Sequence, residues 1–150
     1  METVLTEISR THEEIRILLA KISTARPTDW NDVETLYLKL VGHHTAEEEV
    51  LFILVAKTDE KAEALIKLLR REHTESETGI KAFLDAGSVD YRRFALLHGL
   101  LTEHMEEEEA HFFRKSRKAM TKKQLQDAIG PFEITEMKVK KKAENDLPKR

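Results

Sequence analysis

Apolar residues recur at spacings of three and four along four stretches of the chain, a pattern typical of helices that bury one face. The first stretch, at about residues 3–25, carries Leu5, Ile8, His12, Ile15, Leu19 and Ile22. Helix breakers and capping residues separate the stretches at 27–29, 58–59 and 86–88. The pattern therefore predicts four helices joined by short turns, since Pro, Gly and capping residues end one helix and begin the next.

Four histidines occupy positions in these stripes where the apolar rhythm expects a buried residue: His12, His43, His73 and His104. The midpoints between successive histidines fall within the first two predicted turns and directly after the last residue of the third. Residues at equal distances from a turn lie at the same height when the two helices are antiparallel. The sequence therefore predicts an all-α fold, an up-down-up-down antiparallel four-helix bundle with a polar layer at its middle.

A stretch of ten residues occurs twice, first at 43–52 and again 61 residues later at 104–113. Both copies read His-x-x-x-Glu-Glu, followed within a few residues by an apolar pair. Residues four apart on a helix are neighbours, with about 5–6 Å between their Cβ atoms. Glu47 is therefore expected beside His43, and Glu108 beside His104.

A metal centre accounts for so many polar groups at core positions, because a buried carboxylate needs a partner or a cation. The repeat assigns two histidines to each of two cations, with Glu47 and Glu108 bridging them. A third bridge derived from solvent leaves each metal with an open position. Mixed imidazole and carboxylate ligands suit iron, although Zn²⁺ or Mn²⁺ could occupy the same site.

The second helix offers a competing register, in which His44 and Glu48 face the core in place of His43 and Glu47. The apolar rhythm favours His43 and places the side chain of His44 on the flank of the helix. The apolar positions in phase with His43 are Leu36, Leu40 and Leu54.

Glu77 lies one helical turn after His73 and has two interpretations. It is either a seventh metal ligand or the partner of Arg16 in an ion pair, since Arg16 is its counterpart in the repeat. His111 likewise has two, as a residue beside the ligands or access route, or as an ordinary, partly exposed histidine.

Composition narrows the class of protein. The chain has 150 residues, of which 40% are hydrophobic and 35% charged, and it contains no cysteine, so thiolate ligands are excluded. It has neither an apolar run long enough for a membrane span nor a recognisable secretion signal, and a cytoplasmic location is the default expectation. The net charge of −3 argues against nucleic acid as a partner.

The end of the chain is predicted to extend the bundle. Residues 1–120 are assigned to the four-helix bundle and 121–150 to a short C-terminal helical extension and tail. Thr121 and Gln124 have the spacing of a capping box, which predicts a short helix up to Gly130. A last helix follows at about 132–143, with Phe132 and Ile134 expected to dock on the bundle end.

The histidine and glutamate motifs, their spacing and their repetition resemble the hemerythrin-like, or HHE cation-binding, family. The resemblance implies two iron ions, bridged by an oxo or hydroxo group, in a four-helix bundle. Oxygen-carrying members have a fifth histidine where this chain has Glu77, which disfavours an oxygen-carrier role. The four-His, two-Glu set is similar to the branch that repairs iron centres, but this chain lacks that branch's cysteine-bearing N-terminal segment.

The resemblance implies a non-haem di-iron protein that binds or reacts with O₂, peroxide or NO. It could act as a sensor, a binder or a peroxide-decomposing enzyme. The alternative is a non-catalytic protein that stores iron or donates it to damaged centres. A third reading is an interaction bundle whose polar layer only sets the helix register. Nothing in the sequence indicates an oligomeric state.

Overall fold

The computed structural model describes residues 2–149, and within that range the protein is helical with no strand. The all-helical prediction is confirmed. The α-helices are α1 (Val4–Thr24), α2 (Trp30–Ala46), α3 (Ile53–Thr58), α4 (Glu63–Ala86), α5 (Tyr91–Glu107), α6 (Phe113–Ala119), α7 (Lys122–Asp127) and α8 (Ile129–Glu144). A π-helical segment, Glu47–Phe52, joins α2 to α3, and another, Glu108–Phe112, joins α5 to α6. A 3₁₀ turn, Glu60–Ala62, precedes α4.

The predicted turns are found where the capping residues placed them. The side chain of Thr3 caps α1, and that of Asp29 accepts a hydrogen bond from the backbone of the first turn of α2. Gly87 ends α4 with a φ of 69°, a left-handed conformation that a glycine adopts without steric cost. The cap of α5 is not Ser88 of the predicted segment 86–88 but Asp90, whose carboxylate accepts from two backbone amides of α5.

The two π-helical segments follow directly after the repeated His-x-x-x motifs. A π turn holds more residues than an α turn, so the buried face moves along the sequence by about one residue. Beyond Glu47 the buried residues are therefore Leu51, Phe52 and Val55. The apolar rhythm instead predicted Leu54, which is 37% exposed. The extra residue brings the apolar pair of each copy into the core, Leu51 with Phe52 and Phe112 with Phe113.

Helices α1, α2, α4 and α5 surround the core, and each contacts two of the others. The buried apolar side chains form two clusters. One contains Phe52, whose ring contacts that of Phe112 edge to face at 4.8 Å between centroids, and the other contains Leu40 and Phe94. The buried histidines and glutamates belong to neither cluster. Among the described residues, no helix combines the length and apolar character needed to cross a membrane.

Helix α8 packs against the side of α2, which the sequence did not indicate. Phe132 is fully buried as predicted, but Ile134 is 50% exposed, so its expected docking contact is wrong. Two residues along a helix point to nearly opposite sides, and only Phe132 faces the bundle. Gly130 and Pro131 lie in the first turn of α8, where proline is tolerated because its missing N–H has no helical partner. The division at residue 120 stays a prediction.

Candidate metal centre

The structure brings together the six side chains of the predicted polar layer, and none is more than 2% exposed: His12, His43, Glu47, His73, His104 and Glu108. They come from α1, α2, α4, α5 and the starts of the two π segments. Because those helices surround one core, side chains on their inner faces converge at one level.

Each buried carboxylate lies close to imidazoles from two different helices. Glu47 Oε1 is 3.3 Å from His43 Nε2, one turn earlier, and 3.5 Å from His73 Nε2 on α4. Glu108 has an equivalent arrangement. Its Oε2 is 3.3 Å from His104 Nε2, again one turn earlier, and its Oε1 is 3.3 Å from His12 Nε2 on α1.

These converging atoms are buried and lack hydrogen bonds. They comprise both carboxylate oxygens of Glu47 and Glu108 and the Nε2 atoms of His12, His43, His73 and His104. An unsatisfied buried polar group costs about 1–3 kcal/mol, so this many in one layer would be strongly destabilising without a partner. Lone pairs on imidazole nitrogen and carboxylate oxygen are the donors that first-row transition metals accept. The residues therefore fit a metal.

His44 belongs to the layer as well, and its expected position on the flank of α2 was wrong. It is 2% exposed, and its ring stacks on that of His73 with 3.8 Å between centroids. The physical reason is that α2 packs against α1, α4 and α8, so a wider arc of its surface is buried. One signal was present in the sequence: the repeat counterpart of His44 is Met105, an apolar residue that is also buried.

Potential ligand atoms form two groups that share Glu47, and within each group they lie no more than 4.8 Å apart. The first group contains His44, Glu47, His73 and His104. The second contains His12, His43, Glu47 and Glu108.

Residues 3–116 match the model of the hemerythrin HHE cation binding domain. The chain belongs to this family. The match spans every residue of both groups in the hemerythrin-like centre, whereas α7 and α8 follow it. The searches of curated proteins and of solved structures gave no match. Family membership and the buried groups agree on cation binding, the general function predicted from the sequence.

Glu77 lies outside both groups of the hemerythrin-like centre. Its Oε2 is 2.7 Å from Nδ1 of His44, on the side of the ring that faces away from the layer. The face of α4 that points inward carries Ser76 instead, which is 3% exposed. The alternative ion pair with Arg16 is wrong, because the Arg16 guanidinium donates to Glu109 at 2.8 Å. Glu77 thus contacts a candidate ligand from behind.

Three further histidines have a carboxylate behind them in the same way. Nδ1 of His12 lies 2.9 Å from Glu109. Nδ1 of His73 lies 2.8 Å from Glu48, and Nδ1 of His104 lies 2.9 Å from Glu72. Histidines that bind metals usually donate the second ring N–H to such an acceptor, which fixes the tautomer and orients the ring. An Nδ1–H directed at the carboxylate leaves the Nε2 lone pair facing the layer.

Sequence reasoning missed these outer carboxylates. A signal existed, because Glu48 and Glu109 are separated by the same 61 residues as the motifs. Each contacts a histidine of the other half of the repeat and also accepts from an arginine, Arg70 for Glu48 and Arg16 for Glu109. These pairs form between different helices, so they depend on which helices face each other. Spacing along one helix does not indicate them.

The two buried carboxyls differ in their affinity for a proton. Burial and the neighbouring Glu108 carboxylate raise the pKa of Glu47 well above its usual value. Burial by itself would also raise the pKa of Glu108, but polar contacts with Glu47, His104 and His12 hold it well below. Without a cation, one proton on Glu47 therefore relieves the repulsion between the pair.

The imidazoles divide in a similar way. Burial and neighbouring histidines lower the pKa of His43 and of His44 well below the usual value. Burial also acts to lower the pKa of His12 and His104, but nearby carboxylates, with Glu108 first in both cases, raise it above the usual value. Burial followed by the charge of Glu48 raises the pKa of Glu77 to about 8. Several protons thus occupy the metal-free layer near neutral pH.

His111 is away from the layer. Its side chain is 51% exposed, and Nδ1 lies 3.0 Å from Glu107 on the same helical face. This position agrees with the ordinary, partly exposed histidine of the two predicted alternatives.

Proposed function

We propose that the protein holds two iron ions, bridged by Glu47 and Glu108, and that the pair binds or reacts with O₂, NO or peroxide. His44, His73 and His104 serve one ion, while His12 and His43 serve the other. The observation that carries the proposal is the position of Glu108. One of its oxygens lies 3.3 Å from His12 and the other 3.3 Å from His104, so the carboxylate reaches both groups.

The numbers of histidines differ, three for one ion and two for the other. The ion served by His12 and His43 therefore has one fewer protein ligand and is the better candidate to accept a small exogenous ligand. When bound, the iron pair supplies redox change and an open coordination position to that ligand. The residues of this chain orient the donors and exclude bulk water, and before metal binds Glu47 and Glu77 hold protons.

A small cavity lies next to His104, on the side of the ion that has three histidines. It lies between α4 and α5, has a volume of about 10 Å³ and is lined in part by Ser76, Leu97 and Leu101. A single water molecule needs a cavity of at least roughly that volume. A space of this size supports a diatomic or similarly small ligand of the iron pair over a bulky substrate.

The burial of the layer favours a permanently bound metal centre over a function in which the protein donates its iron. The proposed ligands are at most 2% exposed, and four of the five histidines have an outer carboxylate behind them. Release of an ion would require these contacts to open. Storage or donation to damaged centres is therefore the less favoured function.

The proposed bundle has an up-down-up-down topology. Two hydrogen-bonding contacts support it by joining the end of α1 to the start of α5. The Tyr91 hydroxyl donates to the carbonyl of Ala25 at 3.1 Å and lies 2.8 Å from Oγ1 of Thr28.

Iron loading tests the proposed function directly. After anaerobic addition of Fe²⁺ and removal of excess metal, elemental analysis is expected to give two irons per chain. Stopped-flow spectra with O₂, NO and H₂O₂ then identify the ligand: a stable oxygenated band indicates binding, and O₂ evolution from peroxide indicates an enzyme. A content of one iron or fewer, or no spectral change with any of the three, would contradict the proposal.

Metal binding is expected to release protons. The raised pKa values of Glu47, Glu77, His12 and His104 mean that these groups retain protons that metal binding displaces. Affinity should therefore fall as the pH is lowered from about 8. Calorimetric titration of metal in two buffers with different ionisation enthalpies measures the protons released. Equal apparent enthalpies in both buffers would show that none are exchanged.

A further inference from the structure

We infer that Glu136 of α8 is the positioning residue for His43, so that the C-terminal helix completes the metal centre. The inference rests on the proposed metal site. It extends the centre beyond residues 3–116, the part of the chain that matches the family model.

His43 differs from the other four histidines of the layer. Those four each have a carboxylate within 2.9 Å of Nδ1. Both ring nitrogens of His43 are buried, and neither has a hydrogen-bond partner. As a ligand through Nε2, His43 needs an acceptor at Nδ1 to hold its tautomer and ring orientation.

Glu136 is the acidic residue next to that nitrogen. Its Oε2 lies 3.9 Å from His43 Nδ1, and its side chain is 15% exposed. A hydrogen bond requires about 2.7–3.2 Å, so the carboxylate must approach by roughly 1 Å. We expect rotation about the side-chain bonds of Glu136 to provide this shift.

The internal repeat explains why the acceptor has to come from α8. His104 is the counterpart of His43, and its acceptor is Glu72. The residue 61 positions before Glu72 is Thr11, which has no carboxylate. The first half of the chain therefore lacks the acceptor that the second half supplies.

Two contacts hold α8 at the required place. A Cβ atom on Gly42 would lie 2.9 Å from Cγ of Lys140 and 3.0 Å from the carbonyl oxygen of Glu136, so only a glycine allows α8 to approach this closely. The fully buried ring of Phe132 meets the His43 ring edge to face, with 5.8 Å between centroids. Glu136, one turn after Phe132, is thereby brought beside His43.

The test compares Glu136→Gln with Glu144→Gln, which removes the same charge from an exposed site on the same helix. Each variant is loaded with Fe²⁺, and the rate of iron transfer to a strong chelator is measured. Loss of an outer acceptor typically weakens metal binding about 10–100-fold, so Glu136→Gln should release the iron held by His43 at least tenfold faster. Glu136→Asp, which keeps the charge on a shorter side chain, should be intermediate.

A second readout separates positioning from a general effect on folding. In ¹⁵N-histidine-labelled protein loaded with Zn²⁺, the Nδ1–H signal of His43 should shift in Glu136→Gln and remain unchanged in Glu144→Gln. The melting temperature without metal should be similar in both variants.

Equal release rates for Glu136→Gln and the wild type, or an unshifted His43 signal, would overturn the positioning role alone. A wild-type protein that holds no metal would overturn the proposed function and this inference together. A lower melting temperature without metal in Glu136→Gln, together with an unshifted His43 signal, would reduce Glu136 to a packing residue.

Discussion

Replacing Glu47 with glutamine is expected to abolish the binuclear centre and to leave the metal-free protein at least as stable as the wild type. Glu47 is the member shared by both groups of potential ligands, and a neutral amide cannot bridge two cations as a carboxylate does. Its carboxyl is fully buried and has no hydrogen bond in the layer. Glutamine therefore removes the repulsion between Glu47 and Glu108, which in the metal-free wild type only a proton on Glu47 relieves.

Glu47→Gln should weaken metal binding without lowering the stability of the metal-free protein, so a general folding defect can be distinguished from the loss of a bridge. A ligand at a hundredfold excess over its dissociation constant stabilises a protein by about 2.7 kcal/mol, so the wild-type melting temperature should rise clearly with Fe²⁺. Glu47→Gln should lose most of that rise. The control is Glu49→Gln, since Glu49 is an exposed acid in the same π segment. If Glu47→Gln still binds two irons, Glu47 is not a bridge.

Replacing His44 with methionine is expected to remove one of the two irons or to weaken its binding severely. Methionine stands at the equivalent position of the second half, Met105, and is buried there, so the change keeps an apolar side chain of similar volume. It leaves two histidines for each ion. The loss should exceed the roughly 10–100-fold that removal of an outer partner causes.

The measurement for His44→Met is iron content after loading, together with the rate of loss to a chelator. His111→Met is the matched control, because His111 is about half exposed and lies away from the layer. Full retention of both irons in His44→Met would show that His44 lies in the layer without binding metal.

The parts of the fold that local chemistry decides could be predicted from the sequence. Capping by Thr3 and Asp29 and the left-handed Gly87 depend on neighbouring residues alone. The polar layer was predictable as well. Four histidines are in phase with the apolar stripes, and the turns lie midway between them, so antiparallel helices must place the four side chains at the same height in the bundle.

The rest depends on which helices face one another. The inward position of His44 follows from the contact of α2 with α4, whose His73 ring stacks on that of His44, and no periodicity within α2 contains that information. The exposure of Leu54 follows from a π turn, whereas the apolar rhythm assumes a constant number of residues per turn. The outer carboxylates are pairs between helices, so motif spacing along one helix does not reveal them.

The crossed pairing of Glu48 with His73 and of Glu109 with His12 links the two halves of the chain reciprocally. Neither half can orient its own histidine of the pair His12 and His73, because the carboxylate that accepts from each ring belongs to the other half of the chain. Assembly of the centre is therefore a collective event: an opening that separates the halves deprives both histidines of their acceptors at once. Metal retention then reports the integrity of the whole bundle and not of a single helix pair.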